Sequence, residues 1–369
     1  MATAATDKES VRTAFARGAL HYLIKPFTAG ELGERLRAYA RYRERLATGG
    51  QLTQDDVDRA VAAARAAFDS GPWPRTPATE RGRTLARIAD LLQRDRESIA
   101  RAESLDTGKT LKEGRADVDD VTAVFRYYAG LAGTHAGRVV DPGRPDVVSR
   151  ITHEPVGVCA LIAPWNYPLL QMSWKLAPAL AAGNTTVLKP SELTPLTTVA
   201  LVALAEEAAV PPGVVNLLLG AGGTVGRAMV AHPGVDLISF TGGLSTGQEI
   251  MAAAAQGVRR VALELGGKNP NVVFADADFD TAVDHALTAA FLHSGQVCSA
   301  GARLILQEEI HDRFVEELAA RADRIRLGDG LDPGTECGPL ISAGHRAKVE
   351  GHIERALAAG ARLLAGGTR

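Results

Sequence analysis

Three short segments rich in glycine or proline carry side chains suited to covalent acyl chemistry. Cys298 lies in the sequence Gly-Gln-Val-Cys-Ser-Ala-Gly at 295–301, and Glu264 ends an apolar run just before Leu-Gly-Gly-Lys. Asn166 lies in Pro-Trp-Asn-Tyr-Pro at 164–168, which offers an amide donor on a stiff turn. A thiol can act as a nucleophile, a carboxylate as a base, and an amide as the donor that holds an oxyanion. The chain therefore has a candidate for each of these three roles.

Each of these residues also has a structural interpretation without chemistry. A single cysteine is more often a small buried hydrophobe than a nucleophile. Glu264 can simply end a strand, and Asn166 can cap a turn before Pro168. Residue type alone therefore does not decide between structure and catalysis, and the combination of the three segments has to be considered.

Taken together, the three segments resemble the aldehyde dehydrogenase superfamily, because the thiol, the carboxylate and the amide stand in that family's motif order and at its approximate spacings. The resemblance runs from about Gln51 to Arg369. It implies that Cys298 attacks an aldehyde, that Asn166 and the backbone N–H of Cys298 hold the oxyanion, and that Glu264 activates water against the resulting thioester. Family members that transfer the acyl group to coenzyme A typically lack this glutamate, so its presence favours hydrolysis to a free carboxylate.

Two residues bear on the charge of the proposed base. A general base in this role needs a carboxylate whose pKa is raised by partial burial, a property of Glu264 that the sequence does not show. Lys175 follows Trp174 and can tune the thiol or Glu264, although a surface lysine is the simpler interpretation of a single basic residue.

The region between 156 and 267 predicts a doubly wound α/β fold. Apolar runs that read as strands lie at 158–163, 185–188, 214–219, 237–240 and 261–265. Helical stretches alternate with them near 174–182, 195–209, 224–231 and 246–255. Such alternation predicts βαβ crossovers and a parallel sheet that holds a nucleotide at the strand ends, as in a Rossmann-like domain.

Two segments at these strand ends offer contacts to NAD. The turn at 240–247 (FTGGLSTG) opens a helix, so backbone amides near Gly242 and Gly243 can face a pyrophosphate. Lys189 and Glu192 follow another strand and can bind the adenosine ribose hydroxyls, although a solvated ion pair is the alternative. The resemblance implies NAD rather than NADP, because the Glu192 carboxylate would repel a 2′-phosphate. Gly243 stands where many family members carry serine, so one hydroxyl donor to the phosphate is missing. The other cofactor contacts that the resemblance implies are Trp165, Phe240, Thr241, Gly247, Leu265 and Gly266.

Two aromatic residues around the amide turn bear on the substrate. Tyr167 and Trp174 resemble the aromatic walls of betaine aldehyde dehydrogenases, where a quaternary ammonium would lie against π faces. Aromatic residues occur at these places across much of the superfamily, so aliphatic aldehydes and amino-aldehydes stay open as substrates.

The composition indicates an ordinary enzyme. The chain has 369 residues, 46% of them hydrophobic and 23% charged, with a formal net charge of −2, so two or more domains and no nucleic-acid partner are expected. No apolar stretch has the length of a membrane span and no signal peptide opens the chain, so we expect a cytoplasmic protein. The three cysteines fit neither a disulfide framework nor a zinc site, so reduced thiols and no metal are expected.

The two ends of the chain differ from the family pattern. Residues 1–48 resemble the last part of a response-regulator receiver domain, because a strand at 19–27 ends in Lys25-Pro26 and a helix follows. We expect a receiver-like fragment and linker at 1–50, helices and an NAD-binding domain at 51–267, and a partial catalytic domain at 268–369. Relatives would continue for well over a hundred residues, including a strand that joins subunits of their homo-oligomers. The alternative function is therefore a catalytically silent fusion that at most binds NAD or a partner.

Overall fold

The structure is a computed structural model that describes residues 54–367 and, in backbone only, two short strands near the N-terminus. These strands, β1 (Ala2–Thr3) and β2 (Leu23–Ile24), pair in parallel. The strand expected at 19–27 thus coincides with β2. The remainder of the receiver-like segment, including Lys25, lies outside the described residues.

Four helices form the first part of the described chain, and their apolar faces pack inward. They are α1 (Gln54–Asp69), α2 (Ala78–Arg94), α3 (Arg96–Thr107) and α4 (Leu111–Leu131). A capping box begins α4, because the Thr110 hydroxyl accepts from the Glu113 N–H while the Glu113 carboxylate accepts from the Thr110 N–H. An antiparallel ribbon of β3 (Arg138–Val140) and β4 (Ser149–Ile151) follows.

The expected doubly wound sheet is confirmed. Its strands are β5 (Val158–Ile162), β6 (Thr185–Lys189), β7 (Val215–Leu217), β8 (Leu237–Gly242) and β9 (Arg260–Leu265). They are all parallel in the order β7-β6-β5-β8-β9. The strands β6 and β7 thus lie on one side of β5, and β8 and β9 lie on the other side. The strand order reverses between β5 and β8, and in such sheets the ligand lies at the carboxyl ends beside this reversal.

Helices cover both faces of the sheet. They are α5 (Pro168–Ala182), α6 (Leu196–Glu207), α7 (Arg227–Ala231) and α8 (Leu244–Ala255). Alternate residues of β5 enter two different cores: Cys159 and Leu161 pack with α2 to α6, whereas Ala160 and Ile162 pack with α1, α7 and α8. Every residue of β5 and β6 is buried, as expected for central parallel strands.

The last third of the described chain forms a separate, smaller α/β unit. It contains β10 (Pro270–Val273), α9 (Phe279–Phe291), β11 (Arg303–Leu306), α10 (His311–Ala322) and α11 (Ala343–Ala358). The strands β10 and β11 pair in parallel, and Val273, Val283 and Phe314 lie in their small core. Within residues 54–367, no helix is long and apolar enough to cross a membrane, and no cluster of three or more acidic, histidine or cysteine residues is arranged to hold a metal.

Candidate active site

The expected site residues follow the carboxyl ends of four strands of the large sheet. The turn with Asn166 follows β5, and Lys189 ends β6. Thr241 lies near the end of β8, where it pairs with Glu264 on β9. Parallel strands present their carboxyl ends at one edge, so this edge beside the β5/β8 reversal brings together segments that are far apart in sequence.

The predicted oxyanion donor contacts the loop that carries the predicted nucleophile. Asn166 Nδ2 donates a hydrogen bond of 2.7 Å to the backbone carbonyl of Gln296, two residues before Cys298. The turn holds Asn166 firmly because β5 precedes it and Pro168 is the first residue of α5, where a proline fits without losing a hydrogen bond. The amide and the thiol loop are therefore neighbours, as the chemistry requires.

Cys298 differs from the other two cysteines of the chain. Its side chain is exposed, whereas Cys159 and Cys337 are buried, and all three are free thiols. Burial raises the pKa of the Cys159 thiol to about 12, so this thiol stays protonated at neutral pH. The interpretation of Cys298 as a small buried hydrophobe is wrong, and Cys298 is the thiol that a substrate can reach.

Residues without a sequence signal hold the Cys298 loop. Asn269 Nδ2 donates to the carbonyls of Cys298, at 2.8 Å, and Ala300, at 3.2 Å. The buried amide of Gln296 accepts from the Ile341 N–H at 3.0 Å. These amide side chains link the loop to β10 and to the segment before α11, so the position of the thiol depends on tertiary contacts.

A strained turn precedes this loop. His293, Ser294 and Gly295 have φ values of 48°, 58° and 72°, all in the left-handed region that only glycine adopts without cost. The Glu113 carboxylate accepts from the His293 N–H at 2.8 Å, and the Ser294 hydroxyl donates to the Gly338 carbonyl at 2.6 Å. Strain of this kind persists only where surrounding contacts hold it, and it is often found at functional sites.

Lys175 is not the surface residue that a single lysine suggests. Its side chain is buried, and Nζ donates a hydrogen bond of 2.7 Å to Thr241 Oγ1. Burial lowers its pKa to about 8, while the charge of Glu264 acts in the opposite direction. Lys175 therefore lies close enough to Glu264 to act on it.

The environment of Glu264 is decided by the fold and not by its motif. Its side chain is exposed, because β9 is the edge strand of the sheet and Glu264 belongs to the outward-facing set of its alternating residues. Among the described residues Glu264 thus lacks the partial burial that a general base in this role needs. Gly266 and Gly267 follow the strand, and the Gly266 N–H donates to the Gly242 carbonyl at 3.1 Å.

The candidate ribose contacts form a compact group at the end of β6. Lys189 is buried, and its Nζ donates to the Pro190 carbonyl at 3.0 Å and lies 3.5 Å from Glu192. Burial lowers the pKa of Lys189, while Glu192 opposes that shift. The other oxygen of Glu192 lies 3.5 Å from the Gly222 N–H, and a Cβ on Gly226 would be 3.5 Å from the Lys189 stem.

These two glycines belong to a π-helix, Gly222–Gly226, that sequence reasoning missed. The glycine-rich run Gly-Ala-Gly-Gly-Thr-Val-Gly at 220–226 after a strand is the signal that points to it. Its glycines leave room beside the Lys189 and Glu192 side chains, so the group can accept a ligand with hydroxyls and a charge.

The start of α8 has the features of an anion site. Gly243 is its N-cap residue and provides no side-chain cap, and a Cβ on Gly243 would meet nothing within 4 Å. No side-chain hydroxyl therefore caps the first amides of the helix, as expected where Gly243 replaces serine, and the space that a side chain at Gly243 would fill is open. Gly242 and Gly247 are different, because a Cβ there would lie 2.4 Å from the Phe240 ring and 2.7 Å from the Leu265 side chain.

The aromatic residues occupy unlike environments. Tyr167 is half-buried, with the Lys109 ammonium 4.0 Å from its ring centroid and the His293 ring edge-on at 5.3 Å. Trp174 is 48% exposed. Trp165 lies at the amide turn with its ring 4.9 Å from that of His345 on α11, a contact that the sequence does not indicate.

Several known proteins are similar to this chain in sequence and in structure. Betaine aldehyde dehydrogenase of Bacillus subtilis (strain 168) is 57% identical over 327 residues, which are 89% of this chain and 67% of the relative. Human mitochondrial aldehyde dehydrogenase is 47% identical over 317 residues, or 85% of this chain and 61% of the relative. The crystal structure of betaine aldehyde dehydrogenase from Staphylococcus aureus in complex with NAD⁺ matches with a TM-score of 0.85 at 53% identity, covering 86% of this chain and 63% of that one.

The chain thus spans about two thirds of the length of these relatives. The family model of aldehyde dehydrogenases matches residues 29–369, so it begins before Gln51, where we expected the resemblance to start, and inside the receiver-like segment. A match over this much of the sequence, together with relatives well above 30% identity, shows that the chain belongs to the aldehyde dehydrogenase family.

Proposed function

We propose that this site oxidises an aldehyde to a carboxylic acid through a covalent adduct on Cys298, with NAD as the oxidant. The observation that carries the proposal is the 2.7 Å hydrogen bond from the Asn166 amide to the loop of the exposed Cys298. It puts a donor for negative charge beside the loop that carries the exposed thiol. The dehydrogenase activities named for the relatives support the same reaction.

The first step forms a bond between the Cys298 sulfur and the aldehyde carbon. The carbonyl oxygen becomes an oxyanion, which the Asn166 side-chain amide and the Cys298 backbone N–H stabilise. Bound NAD would supply the hydride acceptor that converts the adduct into a thioester, a reaction that no side chain of the protein performs. Glu264 then takes a proton from water as the water attacks the thioester carbon, and the acid leaves as the Cys298 thiolate is restored.

The residues at the ends of β6 and β8 fit NAD. Glu192 and Lys189 would hold the adenosine ribose hydroxyls, and the open N-terminus of α8 would accept the pyrophosphate. Trp165, Phe240, Thr241, Leu265 and Gly266 would line the rest of the cofactor site. The Glu192 carboxylate would repel the 2′-phosphate of NADP, so we expect a preference for NAD; equal catalytic efficiency with NADP would contradict it.

For the substrate we propose betaine aldehyde or a close amino-aldehyde. The named relatives from Bacillus subtilis and Staphylococcus aureus support this class. Trp174 is the better aromatic wall for a quaternary ammonium, because it is 48% exposed whereas Tyr167 already has the Lys109 ammonium over its ring. Homo-oligomer formation and a cytoplasmic location stay predictions from the resemblance and the sequence.

The test is NADH formation by the purified chain with betaine aldehyde and several plain aldehydes. Cys298→Ala removes the nucleophile, and Ser299→Ala is the matched control because Ser299 is an exposed neighbour in the same turn. Turnover that persists in Ser299→Ala and disappears in Cys298→Ala would support the proposal, and the rates would rank the substrates. Turnover that survives in Cys298→Ala would refute it. NAD binding without turnover in the unmodified chain would favour the alternative of a catalytically silent protein, for which the exposed position of Glu264 is the supporting observation.

A further inference from the structure

A buried lysine that has no part in the proposed reaction lies against the aromatic ring next to Asn166. The Lys109 side chain is fully buried, and its Nζ lies 4.0 Å from the ring centroid of Tyr167. The same ammonium is 3.4 Å from Glu103 and forms a close ion pair with Asp117. Buried ammonium groups need such partners, and here two carboxylates and a π face supply them.

The carboxylate partners are themselves held in place. Glu103 accepts a 2.7 Å hydrogen bond from the Thr197 hydroxyl at the start of α6, and Asp117 lies on α4. Burial raises the pKa of Asp117 while Lys109 opposes the shift, and the nearby charges of Glu103 and Glu113 raise it further. The ammonium is therefore fixed from α3, α4 and α6, not free to follow Tyr167.

The loop that carries Lys109, between α3 and α4, also packs against the segment before α11 in the smaller unit. Gly108 adopts φ 81°, and Cβ atoms on Gly338 and Gly330 would lie 1.8 Å from the Gly108 carbonyl oxygen and 2.2 Å from that of Lys109. The Leu111 N–H donates to the Gly330 carbonyl at 2.8 Å. These close backbone approaches fix the loop against the segment that precedes α11.

From Tyr167, two short connections lead to the Cys298 loop. Tyr167 is bonded to Asn166, whose amide holds the Gln296 carbonyl. Its ring also lies edge-on to His293, the first residue of the left-handed turn that leads into Gln296. A shift of the Tyr167 ring therefore moves both the oxyanion donor and the approach to the thiol.

We propose that Lys109 is a positioning residue that holds Tyr167, and through it Asn166 and the Cys298 loop, in the geometry for attack on the aldehyde. The inference rests on the proposed function. Lys109 contacts none of the reacting groups, so its effect passes through the Tyr167 ring. A small displacement at a reacting centre costs a large factor in rate, because attack depends on close and aligned approach.

The test is a double-mutant cycle with Lys109→Met and Tyr167→Leu, separately and together. Lys112→Met is the matched control, because Lys112 is an exposed lysine at the start of α4, three residues after Lys109. The readouts are kcat and KM for the aldehyde, the Kd for NAD, and the rate at which iodoacetamide alkylates Cys298. Only Cys298 is exposed among the three cysteines, so the alkylation rate reports on its loop.

We expect Lys109→Met to lower kcat by about tenfold, to slow alkylation by about threefold, and to leave the Kd for NAD within about twofold. In the Tyr167→Leu background the same change should alter kcat and alkylation by less than about twofold, since residues that act through one another are not additive. Equal effects in both backgrounds would overturn the proposal, because they would mean that Lys109 acts on the thiol directly or only supports the fold.

Two further experiments cover a variant that does not fold and an unmodified chain that shows no turnover. If Lys109→Met does not fold, Lys109→Met/Asp117→Asn removes the cation together with one carboxylate, and the cycle is repeated with that pair. If the unmodified chain shows no turnover, the proposed function fails. The alkylation cycle still tests the link between Lys109 and Tyr167, so the two failures are distinguishable.

Discussion

Replacing Asn166 with alanine tests the proposed reaction most directly. The side chain has two effects in the structure: it provides the donor for the oxyanion and it holds the Gln296 carbonyl at 2.7 Å. Removing one oxyanion donor costs a factor of about 100 to 1,000 in kcat, equivalent to about 3 to 4 kcal/mol. Removing the bond to Gln296 should lower the free energy of unfolding by only about 1 kcal/mol.

The two effects can be measured separately. Aldehyde oxidation is followed as NADH formation, unfolding by urea denaturation, and the position of the thiol as alkylation of Cys298 by iodoacetamide. Alkylation develops no oxyanion, and Asn269 still holds the carbonyls of Cys298 and Ala300 in the variant. We therefore expect the alkylation rate to stay within about twofold while kcat falls by about 100-fold or more.

Asn269→Ala is the matched control for this variant. It removes an amide that holds the same loop, so it should slow alkylation and oxidation together. A loss of less than about tenfold in kcat for Asn166→Ala would refute its role as oxyanion donor. A parallel fall in alkylation would mean that Asn166 only positions the loop.

Three other outcomes follow from the site. Glu264→Gln should leave one rapid equivalent of NADH per Cys298 followed by slow turnover, because the thioester forms but water is not activated; steady rates like those of the unmodified chain would exclude Glu264 as the base. Gly243→Ser should lower the Kd for NAD by about three- to tenfold, because the new Cβ meets open space and the hydroxyl can donate to a phosphate. Gly242→Ser is the contrasting variant and should destabilise the fold, because its Cβ would clash with the Phe240 ring. Because burial lowers the pKa of Lys175 from 10.5 to about 8, the folded chain binds fewer protons than the unfolded chain between these values, and stability should rise with pH across this window by up to about 3 kcal/mol. Urea denaturation of the unmodified chain and of Lys175→Met would check this, and an equal rise in both would contradict it.

The strands and helices of the large parallel sheet were predictable because their patterns are local. The five apolar runs between 158 and 265 coincide with β5 to β9, with end differences of one or two residues. Buried parallel strands are short and continuously apolar, and glycine or proline marks their ends. The nucleophile, the amide and the carboxylate were predicted for a similar reason, since each lies in a short motif.

The burial of individual side chains was not predictable from the sequence. Lys175 is buried because α5 lies between the sheet and the N-terminal helices, and nothing within a few residues of it indicates this. Glu264 is exposed because β9 is an edge strand, a consequence of sheet order and not of the apolar run before it. The predictions for residues 1–48 lie mostly outside the described residues and stay predictions.

The sequence by itself determined the family and the order of the elements and named the candidate reacting side chains, since these are written in local patterns and short motifs. Only the tertiary structure decided which groups surround them: Asn269 and Ile341 bonded to the thiol loop, Glu113 at the strained turn, and Gly226 beside Lys189. These partners are distant along the chain, and a hydrogen bond or a close backbone approach between distant residues leaves no periodic signal. It is set by how the elements pack, which the sequence specifies only through the whole fold.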